Sequence, residues 1–202
     1  MQIPETLVQV KSQTRSKNRK QQIVELAAEL LQTHGFESFS YQDLSARLGI
    51  TKASIHHHFP KKADLGVALC EWIQQWHENQ FSVLRNLKGT AWDKLEAYQK
   101  GCLAYAEGEN KICPLSSLQV DIASLSEEMR VAIKRLDEHE LDAIAEILQQ
   151  GKDAGDMHFA GEVRGVAVLF VLACKGALQY TRVHGREIFE DTMREFKRLL
   201  IA

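Results

Sequence analysis

The chain has 202 residues, of which 45% are hydrophobic and 26% charged, enough to bury a core without disulfide or metal staples. Its net charge is −2, but residues 1–62 hold 9 Lys/Arg against 5 Asp/Glu while residues 63–202 hold 16 against 22. Composition excludes collagen-like and low-complexity classes, and the four cysteines show neither a CxxC pair nor metal-ligand spacing. A basic head on an acidic body suits a polyanion-binding module joined to a separate domain. The longest apolar run, Val166–Cys174, falls well short of a membrane span. The first ten residues lack the basic start and long apolar region of a secretory signal, so a cytoplasmic protein with no membrane partner is expected.

Residues 1–14 read as a flexible basic arm. A first helix is predicted over 16–33, with Ile23, Leu26, Ala27, Leu30 and Leu31 on one face and Gly35 as its stop. Lys11, Arg15, Lys17, Arg19 and Lys20 crowd its start, where cations oppose the helix dipole. Phosphate contact and plain solvation of a basic arm both account for them. Residues 40–59 then read as two short helices with a tight turn. Ser40 is an N-cap candidate with Asp43 three residues on, and Tyr41, Leu44 and Leu48 make one apolar stripe. Gly49 ends the first helix and Thr51 caps the second. Ile55 and Phe59 face inward, leaving Ala53 and His57 outward with Ser54 and His56 on the flanks. That is the helix-turn-helix pattern, with a small polar face suited to a major groove.

A fourth helix is expected from about Lys61 to Asn86, carrying Trp72 and Trp76 one turn apart, a pair that serves either a core or a ligand cage. A fifth starts at Thr90 and runs to about Glu107; a turn over 108–112 follows, and Pro114 opens a short sixth. Ser124 with Glu127 reads as a capping box for a seventh helix ending at Gln150, with 151–161 as a connecting loop. The eighth helix, about 162–184, is apolar nearly all round, which requires cover on every side and so a second subunit. Gly165, Ala173, Gly176 and Ala177 suit close helix approach. The ninth, 187–201, has Phe189, Met193, Phe196 and Leu200 on one stripe. The fold class is all-α: a three-helix head over 15–60, then a six-helix regulatory and dimerisation domain over 61–202.

The run Thr51-Lys-Ala-Ser-Ile-His-His-His-Phe-Pro-Lys-Lys62, with Thr33-His-Gly-Phe36 and Asp43-Leu-Ser-Ala-Arg-Leu-Gly49 upstream, resembles the TetR/AcrR family of bacterial transcriptional regulators. The motifs span about residues 14–66. Two positions depart from the family pattern: His56 stands where Tyr is usual, and Lys61 where a Ser often caps the fourth helix. The resemblance implies a homodimeric repressor that binds a pseudo-palindromic double-stranded operator and is released by a small-molecule inducer. It implies that Thr51, Lys52, Ala53, Ser54, His56 and His57 meet DNA, that Ser40, Tyr41 and Lys62 hold phosphates, and that the last two helices build the dimer. Trp72, Trp76, Tyr98, Cys102 and Phe170 are candidate pocket-lining residues.

Cys113 precedes Pro114 and so falls at a helix start, where free amides and the dipole lower a thiol pKa, with Lys111 nearby. The segment Ile112-Cys-Pro-Leu-Ser-Ser-Leu118 resembles a run in one branch of the family, some members of which sense electrophiles or oxidants through a cysteine there. A sensor and a structural thiol both remain open. No phosphate loop, HExxH, GxSxG or dinucleotide fingerprint occurs, so an enzyme is not expected, nor any metal or cofactor. His56, His57 and His58 are adjacent and fan out on a helix, which prevents a shared metal.

Overall fold

The computed structural model describes residues 18–106 and 111–201, apart from the side chains of residues 105 and 106. Among the described residues there are nine helices and no strand: α1 (Arg19–His34), α2 (Tyr41–Leu48), α3 (Lys52–His58), α4 (Lys62–Asn86), α5 (Ala91–Ala106), α6 (Pro114–Val120), α7 (Glu127–Ala154), α8 (Val163–His184) and α9 (Glu187–Ile201). The expected arm over 1–14, Lys17 and part of the 108–112 turn lie outside the described residues. Helix 1, expected from Ser16, begins at Arg19, because the Asn18 side chain accepts from the Gln21 N–H at 2.8 Å and caps it there.

The chain divides into two compact units, residues 1–76 with 114–136 and residues 77–113 with 137–202. In the first, Ile23, Leu31, Leu44, Ile55, Phe59, Leu65 and Leu69 are fully buried, and α6 docks on α1 through the Ser117 hydroxyl, which donates to the Leu31 carbonyl at 2.7 Å. Gly66 of α4 lies against Met129 of α7 so closely that a Cβ would stand 2.3 Å from its sulfur. The unit that holds the three head helices thus also takes in α6 and the beginnings of α4 and α7.

In the second unit, α5, α8 and α9 pack around Leu95, Tyr98, Phe170, Cys174, Phe189 and Met193, with Ile144, Ile147 and Leu148 of α7. Three expectations change, the first of them in the first unit. Helix 7 is capped at Ser126, whose hydroxyl accepts from the Met129 N–H at 3.4 Å, whereas the Ser124 hydroxyl donates to the Asp121 carbonyl at 2.8 Å. Gly151 does not end α7 but lies inside it, where a Cβ would stand 2.7 Å from Ala91 Cβ; the helix stops at Gly155, whose φ is +76°. The Phe189, Met193, Phe196, Leu200 stripe of α9, expected at a subunit interface, packs into this chain's own core.

The apolar circumference of α8 resolves into two faces. Val166, Ala167, Phe170, Val171, Cys174, Ala177 and Leu178 are buried. Gly165, Leu169, Leu172, Gly176, Tyr180 and Val183 form a second, exposed stripe, with Leu169 61% and Val183 80% accessible. By length and composition α8 would also cross a membrane, but its inner face is covered by α5 and α9 and it carries Lys175 in the middle.

Candidate functional site

The head is built from locally closed helices. Ser40 accepts from the Gln42 N–H and donates to Asp43 Oδ2 at 2.7 Å, and Asp43 accepts the Ser40 N–H at 2.8 Å, a reciprocal cap that holds the Asp43 carboxyl below its ordinary value. Gly49 takes the left-handed conformation, φ +63°, that turns the chain into α3. Thr51 Oγ accepts the Ser54 N–H at 3.1 Å. Lys61, where a capping Ser is common, is served from the other side: its N–H donates to Asp64 Oδ2 at 2.7 Å.

On α3, Ile55 and then Phe59 are buried, while Thr51, Lys52, Ala53, His56 and His57 are exposed and Ser54 is half-buried. Six of the expected DNA-facing residues are therefore exposed or half-buried on α3 and at its cap. Tyr41 is different. Its side chain is buried and its hydroxyl lies 2.8 Å from the carbonyls of both Phe59 and Lys61, so it braces the α3–α4 turn instead of presenting to phosphate. Burial, with the nearby Asp64 charge, pushes its phenol up to about 12. The His56 ring packs edge-on at 4.8 Å from Tyr41, and its Nδ1 lies 3.3 Å from the Pro60 carbonyl. The Lys62 ammonium sits 4.7 and 5.0 Å from the Phe36 and Phe39 ring centroids and 3.8 Å from Glu37, which fixes it over the α1–α2 turn. Ser40, at the end of that turn, is exposed, with its hydroxyl held by Asp43. At the start of α1, Arg19 and Lys20 are exposed, and Lys20 reaches over the Phe59 ring at 5.6 Å.

The pocket candidates fall into separate units. Trp72 and Trp76 are half-buried on the first part of α4. Tyr98, Cys102 and Phe170 lie in the second unit, where the Tyr98 and Phe170 rings stand 6.0 Å apart. Two clefts, one along α4 and α7 in the first unit and one between α5 and α9 in the second, are lined by none of these five residues.

Sequence reasoning missed the polar centre beside Tyr98. Glu140 of α7 is 3% exposed, yet its carboxylate accepts the Tyr98 hydroxyl at 2.6 Å and lies 2.8 Å from the Lys175 ammonium, which also reaches Asp137 at 3.2 Å. Burial alone would raise the Glu140 carboxyl, but Lys175 and His77 hold it below its ordinary value. Burial alone would lower Lys175, but Glu140 carries it above the ordinary lysine value. His77, 2% exposed, is lowered chiefly by burial. The i, i+3 pair Asp137 and Glu140 on one face of α7 was the available signal, but their cation lies 35 residues further on.

Burial, reinforced by Glu71, pushes the Cys70 thiol up to about 11, and burial raises Cys102 and Cys174 further. Cys113 is half-buried at the residue before α6, within the electrostatic reach of Lys175.

Residues 23–69 match the family model for bacterial regulatory proteins of the tetR family. The whole chain is similar to a TetR-family transcriptional regulator from Agrobacterium tumefaciens, at 29% identity over 89% of this chain and 96% of that one, with a TM-score of 0.82. A TetR transcriptional regulator from Legionella pneumophila superposes with a TM-score of 0.81 at 25% identity, over 92% and 98% of the two chains. The HTH-type transcriptional repressor NemR of Escherichia coli is 23% identical over 185 residues, covering 90% of this chain and 93% of its own.

Proposed function

Because the chain belongs to the TetR family of transcriptional regulators, we propose that it is a homodimeric repressor, released from a pseudo-palindromic operator by a small-molecule inducer and working in the cytoplasm. The observation that carries this reading is the surface of α3, where Lys52, Ala53 and His57 are exposed while Ile55 is buried, inside the matched segment. Residues 15–60 form the DNA-binding head in this reading, and 61–202 the regulatory and dimerising part. Thr51, Lys52, Ala53, Ser54, His56 and His57 meet the operator; Ser40 and the α1 cations Arg19 and Lys20 meet phosphates. Tyr41 and Lys62 act through the positions they hold. The two α3 helices of a dimer enter major grooves about 34 Å apart, or slightly more.

Dimerisation is assigned to the exposed stripe of α8 from Gly165 to Val183, together with Leu199 and Ile201 of α9. At Gly165 and Gly176 an added Cβ would meet nothing within 4 Å, so a second helix can approach the backbone there. The inducer is assigned to the region of Tyr98, Cys102 and Phe170, where Glu140 and Lys175 offer charge within an aromatic surround. Trp72 and Trp76 are left out of that assignment.

The test is operator binding by fluorescence anisotropy at several salt concentrations. Lys52→Ala is expected to weaken binding to all sequences and flatten the salt slope by about one unit. His57→Ala is expected to cost about 1–3 kcal/mol at one base position. Full affinity in both variants removes α3 as the reading helix.

Thiol sensing through Cys113 is a second reading, favoured by one contrast. The other three thiols are pushed up by burial, while Cys113 stands at a helix start in the field of Lys175. Iodoacetamide labelling against pH, mapped by mass spectrometry, tests it: Cys113 should react first, and faster than a free thiol of pKa about 8.5.

A further inference from the structure

A cleft of about 290 Å³ opens between α5 and α9, lined by none of Tyr98, Cys102 and Phe170. Its floor is Trp92, Leu103, Phe189 and Met193, all buried side chains that together make an aromatic and aliphatic base. Gln99 also lines it. Gln99 is 6% exposed, and its amide nitrogen has no hydrogen-bond partner among the described residues. A buried donor left unmatched is costly, so native structures supply an acceptor where they can.

The rim fixes the sign of charge that the cleft accepts. Lys100 pairs with Glu96, Arg186 with Glu190 and Arg194 with Asp191, each at 2.6 Å. Lys197 lies instead 5.2 Å above the Trp92 ring centroid. The acid in its field, Asp93, is turned to the Thr90 N–H and hydroxyl at 2.8 and 2.9 Å as the cap of α5. An amide donor, an ammonium over an indole and an apolar floor make complementary partners for one kind of molecule: an acceptor-bearing anion on a hydrophobic body. The volume is at the lower edge of ligand sites, which run about 300–1,000 Å³, and excludes bulky ligands such as nucleotides.

We infer that the cleft between α5 and α9 binds a small amphipathic carboxylate, its oxygens taking the Gln99 amide hydrogen and the Lys197 charge while its hydrocarbon covers Trp92 and Met193. This site shares no lining residue with the region assigned to the inducer, and its test needs no operator, so its failure leaves the repressor reading standing. The experiment is isothermal titration of the full chain with sodium octanoate, alongside 1-octanol and octylammonium chloride. Octanoate should saturate one site per chain, and the neutral and cationic probes should bind at least tenfold more weakly. Gln99→Leu and Lys197→Gln should each weaken octanoate at least tenfold. Gln99→Leu should also raise the melting temperature of the ligand-free protein, since it removes an unmatched buried donor. Octanoate binding undiminished by both substitutions, octylammonium binding as well as octanoate, absence of saturable binding, or a lowered melting temperature in Gln99→Leu overturns the proposal.

Discussion

Replacing Lys175 with Met removes the ammonium that lies 2.8 Å from Glu140 while keeping most of the side-chain volume. Glu140 is then left 3% exposed with a carboxylate that retains the Tyr98 hydroxyl but has lost its cation. Breaking a buried pair in this way costs about 3–5 kcal/mol. At about 2–4 °C per kcal/mol for a chain of this size, the melting temperature should fall by about 6–20 °C. Adding Glu140→Gln should return much of the loss, because the stranded charge goes with it. The folded Glu140 carboxyl sits below its ordinary 4.5, so its contribution is present above pH 4.5 and is lost as pH falls through the folded value. The folded Lys175 sits above its ordinary 10.5, so its contribution is present below pH 10.5 and is lost only as pH rises through the folded value. The gap between wild type and Lys175→Met should therefore be widest across the plateau between these limits and should close in acid. Thermal melts followed by circular dichroism from pH 3 to pH 9 measure it. A loss under about 1 kcal/mol at neutral pH, or a gap that persists unchanged below pH 4, refutes the argument.

Tyr41→Phe should cost about 1–3 kcal/mol in urea denaturation, since the buried Phe59 carbonyl and the part-buried Lys61 carbonyl lose their shared donor, and should weaken operator binding by loosening the α3–α4 turn. Gly151→Ala gains helix propensity worth about 1 kcal/mol, but its Cβ would press on Ala91 at 2.7 Å and Met157 at 2.8 Å. Overpacking of about 1–3 kcal/mol should win, so a net rise in melting temperature would show the α5–α7 contact to be loose. Leu172→Glu places a charge in the exposed α8 stripe and should yield a monomer in sedimentation at micromolar concentration; an intact dimer would move the interface elsewhere.

How much of this was legible depended on the distance between partners in sequence. The reciprocal cap of Ser40 and Asp43, the Gly49 turn and the inward pair Ile55 and Phe59 each involve residues within four positions, and all could be read directly. Ser124 stands three residues before Glu127, which is the spacing of a capping box. Only the fold shows that the Ser124 hydroxyl is spent on the Asp121 carbonyl. Gly151 looked like a stop because a glycine forced by close packing is the same letter as one forced by a turn. The α9 stripe was amphipathic as expected, but periodicity does not tell whether a face packs on its own chain or on a second one. The Glu140–Lys175 pair and the buried Gln99 amide were illegible for the same reason: each draws its meaning from elements far away in sequence.

The starts of the three head helices and of α4 share a property with a kinetic consequence. Asn18 holds Gln21, Ser40 and Asp43 hold each other, Thr51 holds Ser54, and Asp64 holds Lys61, so every one is closed by a neighbour three residues away. Closing such short segments takes little chain entropy compared with bringing distant segments together. Helices that depend on contacts this local nucleate on the microsecond scale, ahead of pairings such as that of Glu140 with Lys175. The exposed surface of α3 can therefore begin to form as soon as its own segment is available, before the second unit has acquired the polar centre at its core.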